Sequence, residues 1–402
     1  MGRNRAPIVQ AAAEASPSRT ARQTSAKEAK VKAEREDSTS LSTLTVQKLK
    51  GDAPPCEVPS STAVDHESET LFFNTYDETA KYGSEIYRCD MKKKKWTNIT
   101  KSIVHLPHPV GSPERPRQLP SRFAGSMAFY KSKTTGQRVL FIFGGQVNGT
   151  DRNDRGEVSS ELIAIDVDRL RWWVVDVAGG AVAPRLQSTL VVVKDQLLIF
   201  GGKTYVDGQF ESIESYSVCT LEGGQWTWDV RDEHYPDHVP LLGFCCDAVV
   251  VEDDNNQKII LTVGCTDPDN TDTLELVPRS FIIFDIGLRT FTPQLDGGGT
   301  FPGRVTWYDL GNLPGSLKSD PSSTSAIICT FHAEPAQSPE LYVYSFPSPA
   351  GCRALGLRKK IAALEGNFEF FAVVGSKAYL FGWTRTNLWD IFTQIPSQAI
   401  VG

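Results

Sequence analysis

Two stretches of this chain repeat one four-part pattern almost part for part. The first runs from Arg122 through apolar Met127–Tyr130 to Val139–Phe143, which ends in Gly144-Gly145. It continues through Glu161–Asp166 to Trp172-Trp173. The second runs from Arg185 through Thr189–Val193 and Leu197–Phe200, which ends in Gly201-Gly202, and on through Ser215–Cys219 to Trp226. Each reads as four short strands, with a double glycine closing the second and a tryptophan opening the fourth. Such a unit cannot bury both of its faces alone, so the period dictates an array in which the units cover one another. The glycines permit positive φ and a close backbone approach at a crowded turn. The tryptophan offers a large flat area for packing on the neighbouring unit.

The pattern resembles the kelch repeat, including the repeats of the galactose-oxidase central domain. The resemblance implies an all-β fold, a kelch-like β-propeller of four-stranded antiparallel blades. Only the two quoted units carry the full motif. The second-strand ends Phe73, Phe143, Phe200, Val263 and Phe381 are 70, 57, 63 and 118 residues apart. The last interval spans two steps, so a further blade is expected between, with its second strand at Ala326–Phe331 and its third at Glu340–Ser345. The expectation is a six-bladed propeller, with blades at about 57–101, 119–178, 183–232, 240–296, 302–362 and 366–397. Asp90 to Trp96, Asp166 to Trp172 and Asp285 to Phe291 share one spacing. Aspartate suits the turn and the aromatic suits the returning strand, so a hairpin is predicted at each. The last blade shows only three strands, Phe368–Val374, Lys377–Phe381 and Leu388–Thr393. Residues 41–50 (LSTLTVQKLK) are expected to complete it and protect two sheet edges, the alternative being that they belong to the tail.

Residues 1–40 are rich in Ala, Ser, Arg and Lys with few large apolar side chains, which predicts a disordered tail before a propeller over 41–397. Residues 1–50 carry ten Lys/Arg against five Asp/Glu, while the rest carry 32 against 43. A basic tail of net +5 therefore precedes an acidic body of net −11. Nucleic-acid binding by the body is not expected from that balance. The run Lys92–Lys95 falls in a predicted turn and reads as exposed turn chemistry. No apolar stretch reaches spanning length and no secretory leader is evident, so no membrane role is expected. Eight cysteines without framework spacing suit a reducing compartment, read as the cytoplasm with the nucleus as alternative.

Catalytic chemistry has little support. His234, His238, Cys245 and Cys246, with Asp232 and Asp237, form the densest set of metal-ligand types. Tyr235-Pro236 and Pro240 argue against a helix that would align the histidines, and adjacent cysteines rarely share one zinc. Of six histidines only His332 falls at a second-strand end, and one histidine makes no copper site. No metal or cofactor is expected.

Three polar connections follow second strands: Gln146–Ser159, Lys203–Glu211 and Thr266–Arg279. Long loops on a rigid scaffold are where binding specificity resides. Tyr205 and Phe210 are anchor types for a partner, or pack on their own loop. Arg122, Arg185 and Arg304 each precede a first strand, where they either clamp an acidic peptide or tether carbonyls of the scaffold. Trp307 adds an aromatic wall to the former reading or a core residue to the latter. The expected function is a monomeric protein-interaction scaffold whose loop face binds a peptide or partner surface. The alternative is a galactose-oxidase-like or other propeller enzyme with a site in its central channel.

Overall fold

The computed structural model describes residues 49–54, 59–76, 84–106, 119–147 and 156–234, apart from 207–208, 214 and 223. Further along it describes 248–253, 256–262, 281–294 and the strands of 304–396 named below. The chain is all-β. A single 3₁₀ turn at Thr100–Ser102 is the one helical stretch among the described residues.

Among the described residues, six sheets of three to five strands follow one another along the chain, with two two-stranded hairpins between strands of the second and third. Sheet 1 holds β1 (Lys50–Gly51), β2 (Pro59–Asp65), β3 (Thr70–Tyr76), β4 (Ser84–Asp90) and β5 (Lys95–Asn98). Sheet 2 holds β6 (Val104–His105), β7 (Ser126–Lys131) and β8 (Arg138–Phe143). A small hairpin, β9 (Gln146–Val147) with β10 (Glu157–Val158), precedes its β11 (Leu162–Asp166) and β12 (Arg171–Val174). Sheet 3 repeats this plan with β13 (Val177–Gly179), β14 (Thr189–Val193) and β15 (Gln196–Phe200). Its hairpin is β16 (Lys203–Val206) with β17 (Gln209–Ser212), followed by β18 (Ser215–Glu222) and β19 (Gln225–His234). Sheet 4 is β20 (Ala248–Asp253), β21 (Asn256–Thr262), β22 (Phe281–Asp285) and β23 (Thr290–Gln294). Sheet 5 is β24 (Arg304–Asp309), β25 (Thr324–Phe331), β26 (Glu340–Phe346) and β27 (Leu355–Leu357). Sheet 6 is β28 (Asn367–Val374), β29 (Lys377–Trp383) and β30 (Trp389–Pro396).

Within each sheet, strands pair antiparallel with their neighbours in sequence. Aspartate forms the predicted third-to-fourth-strand hairpins. Asp166 Oδ1 accepts from the N–H groups of Asp168 (3.0 Å) and Arg169 (2.9 Å), and Leu170 takes φ 52° before β12 begins. Asp90 and Asp285 do the same with the N–H groups of Lys93 (2.8 Å) and Leu288 (2.9 Å). A short carboxylate that satisfies the turn's own donors is the reason for the residue type.

Sheets 1 to 3 are mixed, because each carries a fifth strand parallel to its outer one. β1 pairs with β5, β6 with β12 and β13 with β19. In all three the added strand comes from the segment leading into that same sheet. This differs from the expected role of residues 41–50. Lys50 pairs with Lys95 of sheet 1, while 41–48 lie outside the described residues. Gly51 explains the docking. Its φ is +86°, and a Cβ there would stand 2.2 Å from the Trp96 carbonyl oxygen. Among the described residues, sheet 6 has three strands.

Side-chain alternation sends successive residues of each strand to opposite faces, so every central strand serves two seams. In β3, Phe72 joins Met127, Leu140, Ile142 and Trp172 of sheet 2. Leu71 and Phe73 face the other way, onto Ala372, Val374, Tyr379 and Phe381 of sheet 6. A third seam joins sheets 2 and 3 through Phe141, Phe143, Leu197, Ile199 and Trp228. A fourth joins sheets 3 and 4 through Leu198, Phe200, Ile259 and Phe284. Sheet 5 meets its neighbours through β20 with β24 and β24 with β28. The fourth-strand aromatics lie in these seams. Trp96 stands edge-on to Phe73 at 5.0 Å and reaches Phe381 at 6.4 Å, and Trp226 lies 5.3 Å from Phe141. Each fully buried large side chain contributes about 1.5–3 kcal/mol, so the seams, not single sheets, hold the fold. No helix among the described residues is long and apolar enough to cross a membrane.

Candidate functional site

Sheets 2 and 3 place the chemistry-bearing residues at the end where the second strand stops. Gly144 and Gly145 have φ of +68° and +85° and turn the chain out of β8. Gly144 also admits the next sheet. A Cβ there would stand 2.2 Å from the Arg185 carbonyl oxygen, which accepts the Gly145 N–H at 2.9 Å. The chain then rises into a hairpin rooted on the segment before the first strand. Phe123 and Gln146 exchange backbone bonds at 2.9 and 2.8 Å, and Leu186 and Lys203 exchange theirs at 2.9 Å.

Arg122 and Arg185 sit under these roots at equivalent positions. Arg122 is 2% exposed and donates from Nη1 to the Gly144 carbonyl (2.9 Å) and from Nη2 to Glu161 Oε2 (2.5 Å). Arg185 is 1% exposed and donates from Nη1 to the carbonyls of Gly201 and Ser215, both at 3.2 Å. Its Nε donates to Ala183 O at 3.3 Å. In both sheets the carbonyl of the glycine that turns out of the sheet accepts from the buried guanidinium beneath it. An outward clamp for an acidic peptide needs exposed guanidinium donors, which Arg122 and Arg185 do not present. Arg304 and Trp307 lie on β24, paired with Phe331 and Ile328, and their side chains lie outside the described residues.

Tyr205 and Phe210 are brought together. They are register partners across β16 and β17, with ring centroids 5.2 Å apart and an interplanar angle of 61°. Lys203 Nζ lies 4.5 Å from the centre of the Phe210 ring, a cation–π contact. Alternation puts Lys203, Tyr205 and Phe210 on one face of the hairpin and Thr204, Val206, Gln209 and Glu211 on the other. Phe210 remains 39% exposed, and every residue of β17 is exposed. The segment read as a loop is thus a two-stranded hairpin. The missed signal was Asp207-Gly208 between Tyr205-Val206 and Gln209-Phe210, since Asp-Gly is a preferred two-residue hairpin connection.

Nucleophile chemistry is not offered by the described thiols. Cys89 and Cys219 are free and buried, and burial pushes both thiols up, that of Cys219 to about 12. Tyr130 is pushed up to about 12 by burial and by its hydrogen bond to Asp195 Oδ1 (2.8 Å), a link between sheets 2 and 3. Among the described residues no group of three His, Cys, Asp or Glu is placed to share a metal ion. His238, Cys245, Cys246 and His332, and the side chain of His234, lie outside that set.

No protein-family model matches the sequence, and no curated protein matches it. Among solved structures the chain is similar to that of YjhT, with a TM-score of 0.45 and 12% identity over 85% of this chain and 95% of that one.

Proposed function

We propose that the chain is a six-bladed kelch-like β-propeller serving as a protein-interaction scaffold, with a peptide or partner surface held at the end where the hairpins stand. Support for the architecture comes from six sheets packed in chain order, with Phe381 and Val374 of the last against Leu71 and Phe73 of the first. The observation that carries the function is the β16–β17 hairpin. It holds a half-exposed Phe210 between Tyr205 and Lys203 on a root tied to the scaffold by paired backbone bonds. Rigid aromatics lose little side-chain freedom on binding, and aromatic residues dominate interface energetics. Buried free thiols suit a reducing compartment, and we place the protein in the cytoplasm.

The test compares two positions on one protein. A photo-crosslinking residue at position 210 is expected to capture a partner that the same residue at Leu288 does not. Leu288 is 74% exposed in a turn at the far end of sheet 4. The Tyr205→Ala/Phe210→Ala variant is expected to lose that partner and keep its melting temperature. Equal capture at both positions, or retention of the partner by the variant, overturns the proposal.

A further inference from the structure

A second charged surface lies at the other end of sheet 1. The turn between β4 and β5 exposes Lys92, Lys93 and Lys94, and β5 opens with exposed Lys95. The fold adds a fifth lysine from distant sequence. β1 lays exposed Lys50 beside Lys95 as its direct register partner, held by the Lys50 N–H on the Lys94 carbonyl at 2.9 Å. Two of the five have carboxylates. Lys93 pairs with Asp90 at 2.9 Å, and Lys92 lies 3.8 Å from Glu69. Among the described residues, Lys50, Lys94 and Lys95 have no carboxylate within ion-pair distance.

Like charges directly opposite one another across strands destabilise a sheet. Here Lys50 lies beside Lys95 in parallel register while Asp90 is the register partner of Lys95 on its other side, on a body that is otherwise net negative. The arrangement costs the isolated protein and favours an anion. We infer that this lysine edge is a docking surface for a carboxylate-rich segment of a partner protein. The chemistry selects that occupant. The exposed cations of the cluster are all lysine, a set of point charges without the planar fork that grips phosphate in two places, and Arg88 of β4 is half-buried. The aromatic beside it, Trp96, is fully buried, so no ring is available to stack a base. Met91 is buried too, so the turn has no exposed apolar side chain to enter a lipid surface. The turn between third and fourth strands lies at the opposite end of a sheet from the close of the second strand, so this surface is separate from the hairpin site.

The test uses the full chain and a labelled deca-glutamate peptide, read by fluorescence anisotropy at low and physiological salt. Binding is expected, weakening as salt rises. The Lys50→Gln/Lys94→Gln/Lys95→Gln variant is expected to bind about tenfold more weakly. Its melting temperature is expected to hold or rise, because the opposed charges are gone. If it fails to fold, Lys94→Gln/Lys95→Gln alone carries the test. The Tyr205→Ala/Phe210→Ala variant is expected to bind the peptide unchanged, which separates this surface from the proposed hairpin site. Equal affinity in wild type and lysine variant, or loss of binding in the hairpin variant, overturns the inference. So does equal or tighter binding to phosphatidylserine vesicles or poly-uridine RNA.

Discussion

Sheets 1 and 2 share a plan, a lead-in strand on the outer edge and an Asp hairpin before a buried tryptophan, and differ at one point. In sheet 2 the second strand stops at Phe143 and two glycines turn it away. In sheet 1 the corresponding strand passes through Asn74, Thr75 and Tyr76, paired with β4 throughout. The double glycine is therefore not a requirement of the sheet. It is a requirement of what happens beyond the sheet, where the chain rises into a hairpin and the next unit's backbone docks. Asn74, at the place of Gly144, is 1% exposed and its Nδ2 has no hydrogen-bond partner among the described residues.

The largest expected effect tests what the two sheets share. Trp96→Ala and Trp172→Ala each remove a fully buried ring from a seam and should cost about 3–5 kcal/mol in denaturant unfolding. A loss below about 1 kcal/mol at either would show that its seam is not a packed core. Next comes the point of difference. Gly144→Ala meets the Arg185 carbonyl at a left-handed φ and should cost about 2–4 kcal/mol. Asn74→Ala should cost no more than about 1 kcal/mol, because that amide nitrogen has no bond to lose. Equal losses would erase the distinction. Arg185→Met should cost about 2 kcal/mol by removing buried, charge-assisted hydrogen bonds to the Gly201 and Ser215 carbonyls, and stability is the property that should move.

The smallest effect is in acid. Burial pushes the Asp166 carboxyl up, but hydrogen bonds from Arg169, Gln137 and the Asp168 N–H outweigh it and leave it below the usual range. Asp90 is lowered the same way, burial being outweighed by Lys93 and the charge of Arg88. A depressed carboxylate contributes stability above its unfolded pKa and loses it as pH falls through the folded one. Asp166→Asn should flatten the acid limb of the stability curve between about pH 4 and pH 2. Asp90→Asn should flatten it less, because its carboxylate is more exposed. The reverse order would contradict the burial difference.

What was legible in the sequence was local. The glycine pair, the Asp-to-aromatic spacing and the apolar runs located strands as divergent as Thr324–Phe331 and Glu340–Phe346, because each strand carries its own alternation. The lead-in strands were not legible. Two or three residues have no period, and their pairing is fixed by the distant outer strand that they meet. Lys50 was assigned to the wrong sheet for that reason. The arginines were found by spacing but not by direction, since whether a repeated guanidinium points out or in depends on a carbonyl that only the folded turn exposes. Tyr205 and Phe210 were legible as residues, and their hairpin was missed because its short run sits between longer strands.

The lead-in strands have a consequence for biogenesis. In sheets 1 to 3 the segment that clasps the outer edge precedes the sheet it closes. When translation delivers the fourth strand, its clasp has already left the ribosome. The fourth strand of each of these units can thus be paired on both sides before the following unit is made. The seam between Phe381 and Phe73 cannot follow that schedule. It must wait for the last sheet to be synthesised, so the face of sheet 1 carrying Leu71 and Phe73 stays uncovered longest.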